Sequence, residues 1–169
     1  MSIKQFNGEW VAREDRVLFR FNTFEDQEFS FWLTRFVVKS LIQGAQQLAV
    51  KTLEKEHPPQ VAQAMQEFHQ QAVAQRANFQ ETYQAPSQKP LGHDPLLVTG
   101  LVMNQNGEQT SVEFQLITGK SVNVQMNQAV MQVMVTLLNK LQDAAQWGVG
   151  FEPAPAALDA PKPSQSLMH

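Results

Sequence analysis

The chain has 169 residues, no cysteine, and a formal charge of −3 from 13 basic and 16 acidic side chains. These values exclude disulfides, thiolate metal sites and a cysteine nucleophile. They also argue against a protein organised around a nucleic-acid backbone, which normally carries a basic surplus. With 43% apolar residues a chain of this length can bury a core, and one α+β domain is expected over 1–150.

Only 17% of residues are charged, against roughly 25% in ordinary soluble domains. Glutamine, present 23 times, replaces many of the missing charges. A surface solvated by amides admits another chain more readily than one dense in Lys and Glu, which points to an oligomer or a partner-binding protein. No apolar run approaches the ~18 residues of a membrane span. The first residues lack the apolar stretch of a signal peptide, so a cytoplasmic setting without membrane contact is expected.

Residues 16–22 alternate with Val17, Phe19 and Phe21 on one face, and residues 28–33 with Phe29, Phe31 and Leu33. Period-two alternation on either side of a polar turn predicts a β-hairpin. Thr34 stands where an N-cap belongs. Phe36, Val37, Leu41, Ile42, Ala45, Leu48, Ala49 and Leu53 recur at spacings of three and four, which predicts a helix over 35–55. His57-Pro58-Pro59 ends it.

A helical insertion over 58–84 follows. Val61, Met65, Phe68, Ala72, Phe79 and Tyr83 form a thin stripe on a Gln-rich background, read as the seam against one neighbour. Residues 85–95 hold three prolines and a glycine and form a loop. Strands are then predicted at 96–103, 110–117 and 121–126, with an Asn-Gly turn after the first. Asn127 is a second N-cap, and Val130, Met134, Leu137, Leu138, Leu141 and Ala145 mark a helix to about Trp147. A disordered Pro/Ala tail is expected over 151–169.

The segments 16–55 and 110–147 repeat one plan, a hairpin feeding a capped helix. Val17, Phe19 and Phe21 align with Val112, Phe114 and Leu116; Phe29, Phe31 and Leu33 align with Val122, Val124 and Met126. Thr34 falls on Asn127, and Leu41, Ala45 and Leu48 fall on Met134, Leu138 and Leu141. This alignment makes the hairpin loop two residues longer in the first half. The expected fold is α+β: a mainly antiparallel sheet from two ββα-like halves, in the order β-β-α-α-β-β-β-α, with helices on one face.

No nucleotide-binding, metalloprotease or serine-nucleophile signature occurs, so no catalytic residue, cofactor or metal ligand is assigned, and the sequence leans away from an enzyme. His93-Asp94 reads as local turn chemistry. Glu25, Asp26 and Glu28 read as a solvated acidic turn, lacking the ordered ligand spacing of a calcium loop.

The outer faces of the two hairpins differ. Glu113, Gln115, Asn123 and Gln125 are polar, whereas the first hairpin presents Leu18, Arg20, Ser30 and Trp32, with Arg35 beginning the helix. Leu18, Arg20, Trp32 and Arg35 form the candidate interaction surface, because Trp and Arg dominate interface hot spots. Cover by the chain's own Trp10 segment or by the 58–83 helix is the alternative. The functional expectation is a non-enzymatic interaction or assembly protein that self-associates. One alternative is a small-molecule or enzymatic domain with an apolar pocket lined by Met103, Phe114, Met126, Met131 and Met134. Another is a single-strand nucleic-acid platform of Arg13, Arg16, Arg20, Arg35 and Trp32, which the acidic residues nearby oppose.

Overall fold

Val17, Phe19, Phe21, Phe29, Phe31 and Leu33 are all buried, as alternation requires when every second side chain of a strand meets one core. The computed structural model describes residues 1–77 and 79–148. Its elements are β1 (Ile3–Val11), β2 (Arg16–Thr23), β3 (Glu28–Thr34), α1 (Arg35–Glu54), α2 (Pro59–Arg76), β4 (Leu96–Asn106), β5 (Gln109–Leu116), β6 (Ser121–Asn127) and α3 (Gln128–Ala144). The tail expected over 151–169 lies outside the described residues.

The strands form a six-stranded sheet in chain order. Neighbours are antiparallel except β3 and β4, which run parallel and pair only at Phe31–Leu96 and Trp32–Leu97. The fold is α+β, with one strand more than the hydropathy pattern gives. In β1 the inward positions are Phe6, Gly8 and Trp10, opposite Phe21, Phe19 and Val17. A glycine in the middle of that row hides the alternation.

Helices α1 and α3 pack on the sheet, and α2 packs on both of them. Met131, Gln132, Met134, Val135, Thr136, Leu137 and Leu138 of α3 are buried. A helix enclosed on nearly every side belongs at the centre of the domain, and α3 lies there, against β1, β5, β6, α1 and α2. It ends earlier than its apolar pattern suggests. Gln146 adopts φ 56, and the Trp147 N–H turns back to the Gln142 carbonyl at 3.1 Å. This terminator folds Trp147 under the domain, where it is 2% exposed.

Both predicted caps form. Thr34 Oγ1 accepts from the Val37 N–H at 3.4 Å, and Asn127 Oδ1 accepts from the Val130 N–H at 2.9 Å. The alignment between the halves needs a shift in its first strand. Arg16 pairs with Thr34 and Gln109 with Asn127, so Phe19 matches Val112, Phe21 matches Phe114, and Val17 matches the buried Thr110. The turns agree: Asp26 (φ 58) occupies the place of Gly119 (φ 81). The Phe24 N–H binds the Ser2 carbonyl at 3.0 Å, and the Ile117 N–H binds the Leu97 carbonyl at 2.9 Å. The length difference therefore lies between the first two strands of each half, where residues 12–15 stand against 107–108. Each half is a βββα unit.

The halves also exchange helices. Helix α1 packs against β4, the first strand of the second half, and α3 packs against β1, the first strand of the first half. A glycine admits each close approach. A Cβ on Gly44 of α1 would lie 2.7 Å from Met103 Sδ of β4, and one on Gly8 of β1 would lie 2.6 Å from Leu141 Cδ1 of α3. The small residue sits on the helix in one contact and on the strand in the other.

Candidate functional site

The residues of the first hairpin's outer face do not gather into one open patch. Leu18 and Trp32 are direct cross-strand neighbours, and Leu18 is only 9% exposed. Arg16, not Arg20 or Arg35, lies over the Trp32 ring, 3.8 Å from its centre, while pairing with Glu14. Arg20 stands opposite Ser30. Arg35 faces the other way, 5.7 Å from the centre of the Trp147 ring.

Part of this face is covered by the chain itself, through residues 83–89, which span the end of the expected helical insertion 58–84 and the start of the loop 85–95. After α2 the chain passes Phe79, which lies beneath the Lys140 ammonium at 4.7 Å, and reaches the outer side of the sheet. There the Asn22 amide donates to the Gln84 carbonyl at 2.8 Å, and the Glu28 N–H donates to the Gln88 carbonyl at 2.8 Å. Glu28, 5% exposed, accepts from Tyr83 Oη at 3.0 Å and Ser30 Oγ at 3.3 Å and pairs with Lys89 Nζ at 3.2 Å. A buried carboxylate with this many donors is a structural clasp. Burial, reinforced by the Glu28 carboxylate, holds the Tyr83 phenol protonated well above the ordinary tyrosine range.

The acidic turn is dispersed. Glu25 accepts from the Ser2 N–H at 3.5 Å, Asp26 takes Ser87, and Glu28 points into the clasp. Among the described residues no group of three or more His, Asp or Glu could hold a metal ion. His93 and Asp94 are exposed. Phe114, Met126, Met131 and Met134 are part of the common core, with Met103 packed against it.

An open apolar surface lies on α2, and its direction differs from the sequence expectation. The helix starts with Pro59 at its first turn after Pro58, where a missing N–H costs nothing. It faces the domain with Ala62 and Gln66, which are 0% and 3% exposed. The Gln46 amide of α1 donates to Gln70 Oε1 at 3.4 Å. Half of the stripe read as the seam turns to water instead: Val61 is 45% and Phe68 69% exposed, Met65 and Ala72 are half-buried at the edge of the domain, and Val61, Ala64, Met65 and Phe68 line a shallow apolar depression. The helix ends at Arg76, so Phe79 and Tyr83 lie beyond it. Other exposed apolar side chains, Met1, Phe24, Phe36, Val102 and Ile117, are isolated in sequence, whereas Val61 and Phe68 recur with helical period on α2.

Between α1 and α2 lies a cleft of about 400 Å³ lined by Gln46, Gln47, Val50, Lys51, Glu54, Gln63, Gln66, Glu67 and Gln70. Gln66 Oε1 is buried there with no hydrogen-bond partner.

The fold and these surfaces define an α+β domain of two βββα halves, with an inserted helix that turns an apolar face to water. No protein-family model matches the chain, and no curated protein or solved structure is similar to it. No helix among the described residues is long and apolar enough to cross a membrane.

Proposed function

We propose that the chain is a non-enzymatic interaction protein that self-associates, and that the outward face of α2 is its docking surface. The observation that carries this reading is the exposure of Phe68 and Val61, at 69% and 45%, on a helix whose inward side is Ala62 and Gln66. Burying an unpartnered glutamine on the inward side while large apolar side chains face outward costs stability in a monomer. Burial of those side chains on association offsets that cost. The low charge density serves the same end, since few solvated ions must be stripped when two such surfaces meet.

The test is solution mass by light scattering over a range of concentrations, on the wild type and on Val61→Ser/Phe68→Ser. The wild-type mass rises above that of the 19.1 kDa monomer, while the variant stays monomeric with an unchanged far-UV circular dichroism spectrum. A wild type that remains monomeric at the highest concentration overturns the reading.

A second reading, binding of a small hydrogen-bond donor, is favoured by the unpartnered Gln66 Oε1 in the α1–α2 cleft. Side-chain amide resonances of Gln66 that stay unmoved by primary amides and polyols would dispose of it.

A further inference from the structure

We infer that the partner of the α2 face is α2 of a second copy of this chain, packed antiparallel. This rests on the reading of that face as the docking surface. Val61, Met65, Phe68 and Ala72 follow one another at steps of four, three and four residues. That is the alternation of a two-helix seam, in which each side chain enters a gap on a facing helix. The occupant the spacing fits is therefore a helix of matching period, and α2 has that period.

Charge selects a second copy over a different partner. The side chains flanking the stripe are Gln60, Ala64, Glu67, His69, Gln71 and Gln75, with Arg76 at the far end. A face recognised by a charged partner carries complementary charge on its rim. This rim carries one carboxylate, Glu67, and one cation, Arg76, so its net charge is near zero and it favours no strongly charged partner.

Charge also selects the direction. Arg76 closes α2, and Glu56 precedes it; both are exposed. In an antiparallel pair Val61 meets Ala72 of the other copy, Met65 meets Phe68, and each Arg76 comes level with the region of Glu56. A parallel pair would set Arg76 beside Arg76 and Glu56 beside Glu56. Opposed helix dipoles favour the antiparallel arrangement as well. A helix of 18 residues is roughly 27 Å long. One such pair covers less than the ~1,200 Å² of a stable interface, so the dimer is concentration-dependent.

Cysteine cross-linking tests the arrangement without background, because the chain has no cysteine. Val61→Cys and Ala72→Cys proteins are prepared separately, and each is checked for the wild-type circular dichroism spectrum. Mixed and mildly oxidised, they yield a covalent dimer, whereas Val61→Cys alone does not. Cross-linking of Val61→Cys alone, with no mixed Val61→Cys–Ala72→Cys dimer in the mixture, overturns the antiparallel arrangement while leaving α2 as the docking surface. A dimer by light scattering that forms no cross-link at either position overturns both readings. Charge reversal gives an independent readout. Arg76→Glu weakens self-association on the order of fivefold through two lost exposed ion pairs, and Arg76→Glu/Glu56→Arg restores it. A double variant as weak as the single one overturns the antiparallel arrangement.

Discussion

Gly44 and Met103 meet so closely that a Cβ on the glycine would stand 2.7 Å from the methionine sulfur. They lie in different halves, and their counterparts are Leu137 and Gly8, whose contact is the same one with the sizes reversed. Gly44→Leu should destabilise the domain by about 1–3 kcal/mol through overpacking. Gly44→Leu combined with Met103→Gly recreates the arrangement of the other half and should recover part of that loss. Urea unfolding of the two single variants and the double measures the coupling; strictly additive losses would show that the two sites do not communicate.

Trp147 lies outside every helix, yet it holds the end of α3 to the turn between β1 and β2. Its indole N–H donates to Asp15 Oδ1 at 2.7 Å, and Asp15 adopts φ 47. Trp147→Ala should cost about 3–5 kcal/mol. Asp15→Asn retains an acceptor and tolerates the left-handed backbone, so it should change stability little. Asp15→Ala loses both and should cost about 1–3 kcal/mol. Thermal unfolding of the three proteins tests this order.

The sole tyrosine makes the clasp on the outer face directly observable. Tyr83 is raised from its ordinary value of 10.0 by burial and by Glu28. The protonated phenol is therefore favoured by folding. This contribution is fully present below pH 10 and is lost as pH rises from there through the higher folded value. Phenolate absorbance should stay absent at pH 10 in the folded protein and appear together with alkaline unfolding. Glu28→Gln should move ionisation toward the ordinary value; an unchanged titration would mean burial alone sets it.

The two caps should differ in weight. Asn127 holds its N–H at 2.9 Å and Thr34 at 3.4 Å. Each replacement by alanine should cost about 1 kcal/mol, with Asn127→Ala the more damaging of the two in chemical denaturation.

Phe68→Ser tests the cost of leaving α2's apolar face open. The ring touches water over most of its surface, so the monomer's unfolding free energy should change by no more than about 0.5 kcal/mol. A loss of several kcal/mol, measured at a concentration where the wild type is monomeric, would mean that Phe68 is bound within its own chain.

Much of this fold was legible because alternation and three-to-four spacing are local properties. Val17 to Leu33 and Val122 to Met126 announce their strands, and Thr34 and Asn127 announce the helices that follow. The remainder depended on distant residues. Gly8 breaks the pattern of β1 because Leu137 and Leu141 need the space, and those lie at the far end of the chain. On α2 the period shows that Val61, Met65 and Phe68 share a face, but it does not say which way that face turns. The burial of Ala62 and Gln66 and the Gln46–Gln70 amide bond mark the inward side, and hydropathy does not register them. The register between the halves was misread because Val112, Phe114 and Leu116 match Val17, Phe19 and Phe21 in hydropathy as well as they match Phe19, Phe21 and Thr23. Only hydrogen bonding separates the two alignments. The outer-face residues Leu18 and Trp32 were correctly set side by side, but the crossing of residues 83–89 over that face has no sequence signal.

The exchange of helices between the halves gives this protein an unusual birth. β1 leaves the ribosome well before the helix that roofs it, α3, which follows more than a hundred residues later. Throughout synthesis Phe6 and Trp10 wait on an unroofed sheet. A ribosome stalled before residue 128 would hold a half-finished domain with its aromatic row bare, the kind of nascent chain that chaperones attend. The roof over β1 can close only once α3 has been made.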